Sequence, residues 1–264
     1  MKIRINGVHL AYEFRGRVTP PVVLLHGFAM NRSIWVDMAA SHLGDQRVIL
    51  PDLRGHGESD APEGTYSMSL LAADLAYLLD DLGIEQAVVC GHSMGGYVAL
   101  AFAKHYPQRL AGLGLITTNA QADPEDKRSG RLALIEQVRK QGSVAVAESL
   151  APRLSNDPSV VDQAQQMIGA ADPQGLIGAL AGMAERPDRT DLLPQLTVPA
   201  LVVAGEVDQI TDFAAAKAMA EALPQGRFLS IPGVGHLPMT EAPAVLGDGL
   251  RSLLGWVTQQ VTTS

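Results

Sequence analysis

The sequence predicts an α/β fold: one mostly parallel sheet, flanked by helices and interrupted by a helical insertion. Three observations predict it. Apolar runs of strand length alternate with longer stretches of helical spacing, the rhythm of βαβ units. The runs are continuous, as expected of strands buried on both faces. The rhythm stops between about residues 120 and 189, where helical stretches follow one another without a convincing strand run.

The elements follow in order. Residues 2–6 and 8–14 are short alternating segments joined at Asn6-Gly7, a dipeptide suited to a two-residue hairpin, so an antiparallel edge is expected first. Buried parallel strands are expected at 22–25, 48–50, 87–90, 113–116, 200–203 and 228–231. Helical spacing marks 70–82, 96–105, 214–223 and 245–257 as flanking helices, and 128–141, 144–150, 160–168 and 175–184 as helices of the insertion. Pro124, Pro152, Pro158, Pro173 and Pro187 fall at the seams, where a residue lacking the N–H cannot continue a helix. The expected division is a core of residues 1–119 and 190–264 and an insertion of residues 120–189.

At 264 residues with 47% hydrophobic and 18% charged side chains, the chain has apolar material for one large core, which excludes a disordered or fibrous protein. Twenty basic against 28 acidic residues leave a net charge of −8, which repels nucleic acid and anionic membranes. The single cysteine, Cys90, excludes an intrachain disulfide and points to a reducing compartment. Charges at Lys2, Arg4, Glu13, Arg15 and Arg17 break any early apolar run, and no later run reaches the roughly 20 apolar residues of a membrane span. A soluble, cytoplasmic protein is the expectation.

Gly91-His92-Ser93-Met94-Gly95 carries the chemistry. This G-x-S-x-G pattern follows an apolar strand run and opens a helical stretch, the context a nucleophile elbow requires. A serine hydroxyl is a weak nucleophile and needs a base. In the order Ser, acid, His only His105 and His236 lie downstream of Ser93; His105 reads as a helix-end residue, and His236 sits in a glycine-rich loop after a strand run. Asp208, in the turn after the 200–203 run, is the expected acid, with Glu206 as its competitor. Backbone N–H groups of Phe28, after His26-Gly27, and of Met94 are the expected donors to a tetrahedral oxyanion.

Together with His26-Gly27-Phe28 and the stretch from Asp52 to Ser59, these motifs resemble the α/β-hydrolase superfamily, in its branch of small carboxylesterases and 3-oxoadipate enol-lactonases. The resemblance implies an eight-stranded sheet, a triad of Ser93, Asp208 and His236, and an active site beneath the insertion, which becomes a helical cap. It implies a serine hydrolase acting on a small-molecule ester or lactone without metal or cofactor. Carbon–carbon bond hydrolysis or perhydrolysis by the same triad, and a small-molecule receptor of the same fold with little turnover, are the alternatives.

The remaining assignments are local. His26, Trp35 and Met239 are assigned to substrate binding, and Met30, Met94 and Met239 to an apolar acyl pocket. Residues 52–59 lack the Gly-Lys-Ser/Thr ending of a phosphate loop and read as a structural loop at the site entrance. His56 and His92 lack companion ligands for a metal. Cys90 reads as core, and Arg186 and Arg189 as hinge residues.

Overall fold

The computed structural model describes residues 1–263; Ser264, assigned to the core, lies outside the described residues. The strands are β1 (Lys2–Ile5), β2 (Val8–Arg15), β3 (Val18–Leu25), β4 (Gln46–Pro51), β5 (Ala87–His92), β6 (Leu110–Ile116), β7 (Ala200–Gly205) and β8 (Gly226–Ile231). They form one eight-stranded sheet in the order β1-β2-β4-β3-β5-β6-β7-β8, antiparallel at β1–β2 and β2–β4 and parallel elsewhere. The edge hairpin turns at Asn6 and Gly7, both with positive φ (46° and 82°), which is what this dipeptide supplies.

Two differences from the sequence expectation concern strands. β3 begins at Val18, ahead of the apolar run, and passes through Pro20 and Pro21; its register against β4 shifts between Val18 and Val22, so the prolines sit where the ladder is already broken. β8 is an edge strand and not a buried one, with only Ile231 fully buried. An edge position leaves one side of the ladder and much of both faces to solvent.

The helices are α1 (Ser33–His42), α2 (Met68–Asp81), α3 (Met94–His105), α4 (Glu125–Gln141), α5 (Val144–Leu150), α6 (Pro158–Gly169), α7 (Pro173–Ala184), α8 (Phe213–Ala222), α9 (Pro238–Glu241) and α10 (Pro243–Thr263). α3 and α10 each pack on β3 and β6 and so cover the sheet from its two faces, with α2 beside α3 and α1 beside α10. Every parallel strand ends on the same rim, so the loops after β3, β5, β6, β7 and β8 converge there.

Between β6 and β7 the described chain is helical, α4 to α7, joined by a short 3₁₀ turn Ala151–Arg153. Pro158 and Pro173 open α6 and α7, each preceded by an aspartate whose side chain accepts the N–H two residues on. α7 lies backbone-to-backbone on the loop after β4: a Cβ on Gly175 would come 1.8 Å from the Gly55 carbonyl oxygen, and one on Gly182 would come 1.8 Å from that of Tyr66. Tyr66 N–H also donates to Gly178 O at 2.9 Å, so a stripe of glycines seats α7 on the segment between β4 and α2. Among the described residues no helix is long and apolar enough to cross a membrane.

Candidate active site

Ser93 stands between β5 and α3 with φ 52° and ψ −116°, a backbone state that side chains rarely adopt. Its neighbours make that turn possible. A Cβ on Gly91 would fall 2.0 Å from the Gly95 oxygen, and one on Gly95 would fall 2.7 Å from the His26 oxygen. The turn is tied down by Ser93 N–H to Ile116 O at 2.9 Å and by the Thr118 hydroxyl to Ser93 O at 2.8 Å. The serine opens onto a cavity of about 400 Å³ that His236 also lines.

His236 follows β8, and its Nδ1 lies 2.9 Å from Asp208 Oδ2, both side chains being almost fully buried. The other carboxylate oxygen accepts the N–H groups of Ile210 (2.8 Å) and Thr211 (3.2 Å). Burial pushes the Asp208 carboxyl up, but the adjacent imidazole and these donors outweigh it and hold it below the usual carboxylate range. Glu206, the competing acid, is exposed and accepts from the Ser230 hydroxyl at 2.7 Å, turned to a different partner.

Phe28 lines the cavity. A Cβ on Gly27 would meet His92 Nδ1 at 2.6 Å and Ser93 Cβ at 3.3 Å, so the loop after β3 lies directly on the serine. No intramolecular acceptor meets the N–H of Phe28 or of Met94 among the described residues. Met94 is the first residue of α3, where N–H groups have no helical partner.

Several assigned residues lie elsewhere. His26 is fully buried, taking the Leu53 N–H on Nε2 (2.9 Å) with Nδ1 2.8 Å from Gly27 O; it pins the β3 loop to the β4 loop and does not line the cavity. Trp35 is buried with its ring edge-on to His92. Met239 lines a separate cavity of about 520 Å³ between α1, α6 and α9. Of the three methionines near the loops only Met30 reaches the Ser93 cavity, because Met94 turns its side chain into the core. Closeness in sequence to the Ser93 and His236 loops does not fix the face from which a side chain leaves.

Other residues emerge only from the fold. His92 donates from Nε2 to the backbone oxygen of His236 at 2.9 Å, and Thr117 Oγ1 donates to the same oxygen at 3.1 Å. Lys127, Arg131 and Arg153 line the cavity, with no Asp or Glu among the described lining residues. Arg186 is not an open hinge residue: it is buried, pairs with Asp123 at 2.7 Å and lies 4.0 Å over the Tyr97 ring. Asp123 also binds Arg131 at 2.5 Å. Cys90 is fully buried, and burial pushes its thiol up to about 12.

Three buried histidines make the fold acid-sensitive. Burial lowers His26 to about 4, His56 to about 3 and His92 well below the ordinary 6.5. The unfolded chain therefore binds protons that the folded one refuses, so stability is complete above pH 6.5 and falls as pH drops toward the folded values. Between pH 7 and 5 the expected loss is about 2 kcal/mol each for His26 and His56. Urea midpoints at the two pH values check this, and equal midpoints would refute it.

The sequence profile of the family described as alpha/beta hydrolase fold matches residues 20–243. An esterase structure from Thermogutta terrifontis, described as malate bound, superposes with a TM-score of 0.92 at 42% identity, covering 97% of this chain and 98% of that one. The enol-lactonase structure from Burkholderia xenovorans superposes with a TM-score of 0.89 at 26% identity, over 97% of this chain and 100% of that one. The 3-oxoadipate enol-lactonase 2 of Acinetobacter baylyi is 28% identical over 94% of this chain and 93% of its own length.

Proposed function

The chain belongs to the α/β-hydrolase fold family, and from that membership we propose that it is a serine hydrolase cleaving small carboxylic esters or lactones through an acyl-enzyme. The observation that carries the reading is the contact of His236 Nδ1 with Asp208 Oδ2 at 2.9 Å, in a histidine that shares its cavity with Ser93. The esterase and enol-lactonase relatives support the substrate class.

In this reading Ser93 Oγ attacks the substrate carbonyl and its proton passes to Nε2 of His236. The N–H groups of Phe28 and Met94 hold the oxyanion, each worth roughly 10²–10³ in rate. The carbon–oxygen bond breaks and His236 returns the proton to the leaving alcohol oxygen. Water then attacks the acyl-enzyme with His236 again as base, and the carboxylic acid and free Ser93 are released. Helices α4 to α7 act as the cap over this chemistry. Intact mass after treatment with a fluorophosphonate probe tests the reading: one adduct on the parent and none on Ser93→Ala supports it, whereas no adduct on the parent overturns it.

The preferred substrates, we further propose, carry a carboxylate of their own. A protein of net charge −8 lines this cavity with Lys127, Arg131 and Arg153. Arg131 shares Asp123 with Arg186, Arg153 bonds only the Gln209 carbonyl, and Lys127 has no carboxylate partner among the described residues. A charge pair at 4 Å in such a partly desolvated place is worth about 1–4 kcal/mol. The malate described in the Thermogutta terrifontis esterase is a dicarboxylate and fits this preference. A nitrophenyl hemiglutarate is therefore expected to show a higher kcat/KM than nitrophenyl butyrate. Lys127→Ala should reduce the former by about tenfold, roughly 1.4 kcal/mol, and spare the latter. Equal losses on both esters would refute the preference.

A further inference from the structure

The backbone of His236 is held from every side, and part of that hold comes from the helical segment between β6 and β7. Its N–H donates to Leu154 O at 2.8 Å. Its carbonyl takes the His92 and Thr117 donors. Glu241, the last residue of α9, brackets it: Oε2 accepts the Gly235 N–H at 3.1 Å and Oε1 accepts the Leu237 N–H at 3.1 Å. The same Oε2 accepts the Ser155 hydroxyl at 2.8 Å, reaching across to the turn that carries Leu154. The fit is close, since a Cβ on Gly235 would come 2.9 Å from Leu154 O and 3.3 Å from Ser155 Cα. Ser155 is 4% exposed and Leu154 1%. Leu150 at the end of α5, with Arg153 and Leu154 after it, also lines the cavity.

We propose that Ser155 and Glu241 form a latch through which the helical segment positions His236, so that the histidine is aligned with Ser93 only while residues 151–155 are seated. This rests on the hydrolase reading above. Glu241 and Ser155 are positioning residues that act through His236 without touching the reacting atoms. A carboxylate is required because both its oxygens accept. In Glu241→Gln the amide nitrogen cannot accept, so one of the bracketing N–H groups loses its partner and the loop can shift. Displacing a catalytic group by about 1 Å can cost on the order of 10² in rate.

The test compares the parent with Ser155→Ala, Ser155→Thr, Glu241→Gln and the Ser155→Ala/Glu241→Gln double variant on nitrophenyl butyrate, reading kcat, KM and Tm. Glu241→Gln is expected to lower kcat by about 10–100-fold with KM within about twofold, since no substrate contact is lost. Ser155→Ala, which deletes the tether to Glu241 and the acceptor of the Asp157 N–H (3.1 Å), is expected to lower kcat severalfold, and Ser155→Thr, which keeps the hydroxyl for both bonds, to recover it. The double variant should be little worse than Glu241→Gln alone, as expected of two parts of one unit. Unchanged kcat in Ser155→Ala, or a fall in Tm with kcat per folded molecule intact in both single variants, would overturn the latch. A parent that neither turns over the ester nor takes the fluorophosphonate would overturn the hydrolase reading instead. Should Glu241→Gln fail to fold, the Ser155 pair decides alone.

Discussion

Ser93→Ala is expected to lower kcat by on the order of 10⁶ while leaving KM and the cavity intact. The size follows from the absence of a substitute. Cys90, three residues away, is fully buried and its thiol is pushed up to about 12, so it supplies no thiolate. His236, left with its Asp208 partner, can still polarise water, but no acyl-enzyme can form and only the oxyanion donors remain, worth a residual 10³–10⁴ over water. A companion variant separates the backbone from the hydroxyl. Alanine retains the strained φ of 52°, whereas Ser93→Gly releases it. Such a state costs about 1–3 kcal/mol, so the glycine variant should be the more stable of two equally inactive proteins. Single-turnover hydrolysis of a nitrophenyl ester and a pair of melting curves check both parts. An alanine variant within tenfold of the parent would remove Ser93 as the nucleophile.

The readable parts of the molecule were those whose physics is local. Parallel strands buried on both faces must be apolar without alternation, so β5, β6 and β7 stand out as runs. The Asn6-Gly7 turn needs two positive φ values, and the elbow needs glycines where a Cβ would strike backbone at 2.0 and 2.7 Å. The glycines of α7 at 175, 178 and 182 carried a comparable signal for close backbone approach, recognisable once their i, i+3, i+7 spacing is noticed.

What stayed hidden depends on which face a helix turns inward. Lys127 and Arg131 stand four residues apart on a polar α4 with no motif to mark them, yet with Leu134 they form part of the cavity wall. Trp35 and Met239 fail in the opposite sense: both neighbour the loops that border the Ser93 cavity, and both point into packing or another cavity. Ser155, in the loop before α6, and Glu241, at the end of the short α9, have nothing local to announce that 86 residues apart they meet.

Asp208→Asn should cost about 10⁴ in kcat with little change in structure. The carboxylate is placed twice over, by the Ile210 and Thr211 amides on Oδ1 and by His236 on Oδ2, and an asparagine oxygen can keep the first set. What it loses is control of the ring. A carboxylate only accepts, so it holds the proton on Nδ1 and leaves Nε2 free to receive one from Ser93; an amide can present its NH₂ and favour the opposite tautomer, which cannot. The variant also loses the negative charge that stabilises the imidazolium after proton transfer. The parent's acid limb carries the same signature. Because the imidazole and two amides overcome burial and hold Asp208 below the usual carboxylate range, its contribution to stability is complete above the unfolded value and is lost as pH falls through the lower, folded one. Asp208→Asn should remove that part of the acid transition. Glu206→Gln, at an exposed carboxylate engaged with Ser230, is the control expected to keep parental turnover. Parental kcat in Asp208→Asn together with a collapse in Glu206→Gln would hand the acid's role to Glu206, and the 2.9 Å contact with His236 would lose its catalytic meaning.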